Sequence, residues 1–284
     1  MDETTFTITT ADGQDLQVYR WAPSGTPRAV VQVQHGLGEH GGRYRRFAEA
    51  LTEAGYLVCA PDSHASGRSA GNGYGVWGPD GWKGWVDDIA VLARRIHQDE
   101  PGLPLALFGH SLGSFGTQQF LLDHGDLVDA VVLSGTTEPA GMAQALGGDE
   151  PADLTSFNEQ FEQRTGFEWL SRDADEVDRY VVDEACGWQP EPFVGIETLA
   201  QAADPERLAA IPTDLPVLII SGDQDPVAGP SALGPQVVGE RYRQVGLTDV
   251  TVTLYPEARH ELLNETNRDE VTADVLAFLD RTVG

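Results

Sequence analysis

Leu105-Ala106-Leu107-Phe108 runs directly into Gly109-His110-Ser111-Leu112-Gly113, so an apolar strand ends in a G-x-S-x-G turn that opens a helix. So sharp a turn holds its central residue in strained φ/ψ and brings two backbones almost into contact, which only flanking positions without Cβ permit. Ser111 is therefore expected at the exposed apex. Such a unit needs a sheet around it, and the rest of the chain supplies one. Val30 to Gln34, Tyr56 to Ala60, Ala130 to Leu133, Val217 to Ile220 and Val252 to Tyr255 are short apolar runs suited to burial on both faces. Helical patterns at Tyr44 to Ala54, Trp82 to Gln98, Leu112 to His124 and Glu270 to Arg281 alternate with them. This alternation predicts an α/β fold with a mostly parallel central sheet flanked by helices. Thr5 to Ile8 and Leu16 to Trp21, either side of Ala11-Asp12-Gly13, read as a hairpin.

A serine hydroxyl is a poor nucleophile at neutral pH and needs an imidazole as base, itself oriented by a carboxylate. Where an elbow of this kind occurs, the acid and then the base follow the nucleophile along the chain, each at the carboxyl end of a strand. Of the seven histidines, only His260 lies downstream of a carboxylate at a later strand end. For the acid, Pro216-Val217-Leu218-Ile219-Ile220 empties into Ser221-Gly222-Asp223-Gln224-Asp225-Pro226; Asp225 is the first choice and Asp223 the second. Either could instead be a turn carboxylate bonding its own backbone. Ester or amide cleavage also places negative charge on a carbonyl oxygen, which fixed N–H donors stabilise. One donor is the amide of Leu112, next after the nucleophile. The second is assigned to Leu37, in the glycine-rich exit of the run Ala29 to Gln34.

The stretches His35-Gly-Leu-Gly-Glu-His-Gly-Gly-Arg-Tyr44, Gly109 to Gly113, Gly222-Asp-Gln-Asp-Pro226 and Glu257 to Glu261 together resemble the monoacylglycerol lipase and lysophospholipase branch of the α/β-hydrolases, the serine aminopeptidase S33-like (Hydrolase_4) family. The resemblance runs from about residue 15 to the end and weakens between roughly 138 and 210. It implies an α/β-hydrolase fold with Ser111 as nucleophile, Asp225 as acid, His260 as base and oxyanion donors at Leu37 and Leu112. One departure stands out: the branch carries Asp-x-Arg-Gly-His-Gly-x-Ser where this chain reads Asp62-Ser63-His64-Ala65-Ser66-Gly67-Arg68-Ser69. In the family this loop lies near the catalytic rim, so it bears on pocket shape.

Between Glu138 and Ala210 the strand–helix alternation stops, which divides the chain into core (1–137), a helical cap or lid insertion (138–210) and core again (211–284). The insertion holds 17 acidic residues against 4 arginines. Its aromatics must dock it on the core and line a pocket; Phe157, Phe161, Trp169 and Trp188 are the candidates for touching substrate. The whole chain carries a net charge of −27 with Lys83 as its only lysine, which excludes nucleic-acid partners and stable docking on anionic membranes. Halophily and a high-GC genome would each produce such a composition.

Other signals carry less. Cys59 sits inside an apolar strand and Cys186 lies far from it, a spacing that gives no metal site or disulfide framework. Gly73-Tyr-Gly-Val-Trp-Gly78 satisfies G-x-G-x-x-G but is far from a strand–helix junction, so no nucleotide cofactor is expected. His35 and His40 flank Glu39 in a spacing that fits no zinc motif, and no metal is expected. Neither a signal peptide nor a spanning segment is visible, which reads as a cytoplasmic protein, a monomer or small homo-oligomer. These features together lead to a serine hydrolase cleaving an uncharged monoester, monoacylglycerol-like or otherwise short to medium in chain, without a cofactor. A lactonase or xenobiotic esterase with the same triad, and a non-catalytic ligand receptor on the same scaffold, are the alternatives.

Overall fold

The computed structural model describes residues 1–71 and 73–284. Eight strands form one sheet in the order β1-β2-β4-β3-β5-β6-β7-β8. The strands are β1 (Asp2–Thr9), β2 (Asp15–Ala22), β3 (Val30–Gln34), β4 (Leu57–Pro61), β5 (Leu105–His110), β6 (Ala130–Ser134), β7 (Val217–Gly222) and β8 (Val250–Tyr255). The hairpin β1–β2 and the β2–β4 pair are antiparallel; every other pair is parallel.

Alternation along the central strands explains the layers. In β5, Leu105 and Leu107 join one apolar cluster while Ala106 and Phe108 join the other. Side chains on a strand point to opposite faces in turn, so a continuously apolar strand needs a cover on each side. Helices α1 (Arg45–Glu53) and α8 (Arg268–Thr282) cover one face through Phe47, Leu51, Val275 and Phe278. Helices α2 (Gly81–Asp99) and α3 (Leu112–His124) cover the other, with Trp82, Trp85, Ile89 and Phe120 fully enclosed. Cys59 is part of that second core. β8 departs from the two-sided burial expected of it. It forms one edge of the sheet, so Thr251 is exposed and Val250 and Val252 are only half-buried.

The chain between β6 and β7 is helical: α4 (Pro139–Leu146), α5 (Ala174–Val182), the short α6 (Pro205–Leu208) and three 3-10 turns. Pro139 opens α4, and the Glu138 carboxylate accepts the free amides of Ala140 and Gly141. Helix α7 (Leu233–Gln244) then packs beside β7 and β8. Among the described residues no helix is long and apolar enough to cross a membrane.

Candidate active site

Three loops at the carboxyl ends of β5, β7 and β8 carry the residues singled out above. Ser111 caps α3 with φ 52° and ψ −121°, a left-handed conformation that costs free energy in a non-glycine residue. What compels it is the closeness of its surroundings. A Cβ on Gly109 would lie 2.5 Å from Thr117 Oγ1, and one on Gly113 would lie 2.3 Å from the Gln34 carbonyl oxygen. The Ser111 amide donates to the Ser134 carbonyl at 2.9 Å, which ties the elbow to β6.

His260 is buried, and its Nδ1 lies 2.9 Å from Asp225 Oδ2. Asp225 is buried as well, and its second oxygen accepts the Val227 amide at 2.9 Å. A carboxylate only accepts, so Nδ1 carries the ring proton and Nε2 presents its lone pair. Nε2 is buried without a hydrogen-bond partner. Burial would by itself push the imidazolium of His260 down; the Asp225 carboxylate outweighs it, aided by Glu261 and Glu39, and holds the ring above its usual value. Asp223 has a different job: its Oδ1 accepts the Glu257 amide at 2.7 Å and braces the loop before His260.

Two rings flank the imidazole, His110 with its centroid at 4.8 Å and Trp169 at 4.9 Å. Burial and the charge of His260 push His110 down to about 4, so it is neutral at physiological pH and leaves His260 without a competing cation. Ser111 and His260 line one pocket of about 490 Å³ whose wall is mostly apolar, with Leu112, Met142, Leu154, Phe157 and Trp169 among its members, and which also includes Glu39, His110 and Glu261. The amides of Leu37 and Leu112 have no hydrogen-bond acceptor among the described residues. Leu37 is followed by Gly38 at φ +70°, where a side chain would also strike Leu154 and the Tyr180 hydroxyl.

A serine on a strained turn, an imidazole with one nitrogen held by a buried carboxylate, and two residues whose amides lack an acceptor line this one pocket. The serine aminopeptidase S33 family (Hydrolase_4) matches residues 25–267. The chain belongs to this family. A monoacylglycerol lipase from Mycolicibacterium smegmatis is 31% identical over 91% of this chain and 90% of its own length. A mouse monoglyceride lipase is 31% identical over 95% of the chain and 86% of its own length. The crystal structure of a highly thermostable carboxyl esterase from Bacillus coagulans, in complex with glycerol, superposes with a TM-score of 0.88 at 28% identity over all of both chains.

Of the four aromatics expected to reach substrate, Phe157 and Trp169 lie in the pocket wall. Phe161 and Trp188 do not. Phe161 lies under the Arg259 guanidinium at 4.5 Å, and Trp188 stacks on Tyr74 while its Nε1 donates to the Ala185 carbonyl at 2.9 Å. Both serve docking of the 138–210 segment. Most aliphatic wall residues escaped the sequence reading, because a leucine in a pocket is spaced no differently from one in the core. The divergent loop 62–69 contributes no side chain to this wall. It is held instead by Asp62, which accepts the amides of Gly41 at 2.9 Å and Arg68 at 2.8 Å. His35 turns inward, where Nε2 accepts the Ser63 amide at 3.0 Å, so His35, Glu39 and His40 do not converge on a common point. Gly75 bonds to Ala65 and Glu191, which makes the glycine-rich segment a packing loop.

Proposed function

We propose that the protein hydrolyses uncharged carboxylic monoesters of the monoacylglycerol type through an acyl-enzyme on Ser111. His260 serves as base, Asp225 orients it, and the amides of Leu37 and Leu112 receive the oxyanion. The observation that carries this reading is the orphaned His260 Nε2, buried in the same pocket as Ser111 while Nδ1 is fixed on Asp225. In attack, the Ser111 oxygen bonds to the acyl carbon and its proton passes to Nε2. The tetrahedral oxyanion rests on the two free amides, and its collapse expels the alcohol, which takes the proton from Nε2. Water repeats the sequence and releases the acid. No step calls for a metal or cofactor.

The apolar wall fits an acyl chain, and the relatives named as monoacylglycerol and monoglyceride lipases favour a glyceride alcohol. A net charge of −27 disfavours anionic esters and phospholipid surfaces. Residues 138–210 act as the cap, supplying Met142, Phe157 and Trp169 to the wall.

Labelling with a fluorophosphonate, alongside turnover of a panel of glycerides, lactones and p-nitrophenyl esters, tests this. Wild-type protein should label and prefer monoglycerides, and Ser111→Ala should fail to label and lose turnover by several orders of magnitude. Near-parental turnover in Ser111→Ala refutes the assignment; a preference for lactones refutes the substrate.

A further inference from the structure

Arg43 takes no part in the chemistry above, yet its side chain is only 11% exposed. Its Nη1 donates to Glu39 Oε2 at 2.7 Å and to Glu261 Oε1 at 2.6 Å, and its Nη2 donates to Glu261 Oε2 at 2.8 Å. The remaining oxygen of Glu39 accepts the Gly36 amide at 2.6 Å and the Tyr44 hydroxyl at 2.9 Å. Gly36 immediately precedes Leu37, and Glu261 immediately follows His260. One guanidinium thus grips, through one carboxylate each, the neighbour of the oxyanion donor and the neighbour of the base.

We propose that Arg43 is a positioning residue for ester hydrolysis, fixing the loop that bears the Leu37 amide and the loop that bears His260 at a set separation across Ser111. The proposal rests on the reading of Ser111, His260 and Leu37 given above. Stability alone does not account for the arrangement. Enclosing one cation with two carboxylates carries a desolvation cost that well-packed apolar residues would avoid, often with no loss of stability. A bidentate Arg–carboxylate pair does, however, fix distance and angle in a way a single ammonium cannot. The grip extends to the cap segment as well: the Tyr180 ring stacks on the Arg43 guanidinium at 4.9 Å, and the Gly187 amide donates to the Gly38 carbonyl at 2.9 Å.

Arg43 also balances charge. The ionisable groups facing His260 are Asp225 on the β7 loop, His110 on β5, Glu39 on the β3 loop and Glu261 beside it. Both glutamates raise His260, and Arg43 is the cation that offsets them. Removing its charge while the glutamates remain must move the imidazole further up.

The test compares Arg43→Met, Arg43→Lys and the double variant Arg43→Met/Glu261→Met with wild type, reading kcat, KM, the pH profile and thermal stability on a p-nitrophenyl ester. In Arg43→Met, kcat should fall on the order of 100-fold, as for an ångström-scale misplacement, with KM little changed. Its acidic limb in kcat/KM should move to higher pH. In the double variant Glu261 is gone, and Glu39, though without its cation, keeps the Gly36 amide and the Tyr44 hydroxyl as donors. Stability should return towards wild type there while kcat stays low. If Arg43→Met does not fold, Arg43→Lys decides: it keeps the charge without the fork, so kcat should drop while the acidic limb stays in place. Parental kcat in a folded Arg43→Met or Arg43→Lys, or kcat recovering together with stability in the double variant, overturns the proposal. Ser111→Ala run in parallel separates the two claims, since turnover surviving there sinks the reading of the site itself.

Discussion

Gly113→Ala sets two physical effects against each other. Gly113 lies in the first turn of α3, where alanine is the better helix former by about 1 kcal/mol, so local propensity predicts a stabilised protein. Packing predicts the reverse. The new Cβ would sit 2.3 Å from the Gln34 carbonyl oxygen and 2.7 Å from both the Gln34 carbonyl carbon and the His35 carbonyl oxygen. Real Cβ contacts essentially never fall below 3.0 Å, so one of the two backbones must give by 0.7 Å (3.0 less 2.3). The obstructing atoms are main chain at the end of β3, with no rotamer to escape into, which places the cost near 3 kcal/mol, the upper part of the usual overpacking range. The net is about 2 kcal/mol of destabilisation, or roughly a 3 °C fall in Tm for a chain of this size. The yielding segment also leads to Leu37, so its shift moves the amide proposed to receive the oxyanion; kcat should drop on the order of tenfold to a hundredfold. Differential scanning calorimetry and steady-state kinetics on a p-nitrophenyl ester measure both. A variant with raised Tm and unchanged kcat would refute the argument, because helix propensity alone would then govern the site.

Two further outcomes follow from charge. His64 lies buried between Asp88 at Nδ1 and Asp12 at Nε2; burial pushes it down, but the two carboxylates outweigh this and hold it above its ordinary value. A raised folded value means stabilisation that is complete below the unfolded value near 6.5 and lost as pH climbs through the folded one. His64→Gln should therefore cost on the order of 3 kcal/mol at pH 6, and the gap to wild type should narrow as pH climbs above the unfolded value; a gap independent of pH removes the ion pair from the account. The net charge of −27 should make the fold salt-sensitive, since raising ionic strength from 0.1 M to 1 M shortens the screening length from roughly 10 to 3 Å. Melts across that range should show Tm rising, and a flat response would mean that self-repulsion does not limit this protein and would remove the halophilic reading.

How far the molecule could be read from its sequence depends on the range of the interactions that decide each part. The sheet and its covering helices were legible because two-sided burial writes itself as short apolar runs, and the elbow because Gly109 and Gly113 are forced by contacts within a few residues or with the adjacent strand. Helix α7 left a weak pattern, since Gly234, Pro235 and Gly239 occupy its inner side, where Gly239 lets Val252 approach. The strand order placed Asp225 and His260 at neighbouring loops; Asp225 pairs with His260 Nδ1, whereas Asp223 accepts the Glu257 amide. What the sequence could not convey is the Glu39–Arg43–Glu261 cluster. Arg43 and Glu261 are separated by 218 positions, and a glutamate beside a histidine in a polar loop looks like solvated surface until its partner is known. The same holds for the segment 138–210. Its aromatics indicate docking on the core but not where: the carbonyls of Trp169 and Leu170 accept the amides of His260 at 3.3 Å and Glu261 at 2.7 Å, and Arg259 donates to the Glu168 carbonyl at 2.6 Å. A rigid swing of the whole segment would break those bonds and disturb His260 and its loop. Any opening compatible with an intact His260 loop must therefore be confined to the parts of the segment away from residues 168–171, so access to the pocket and the geometry of its imidazole are set by different stretches of the same insertion.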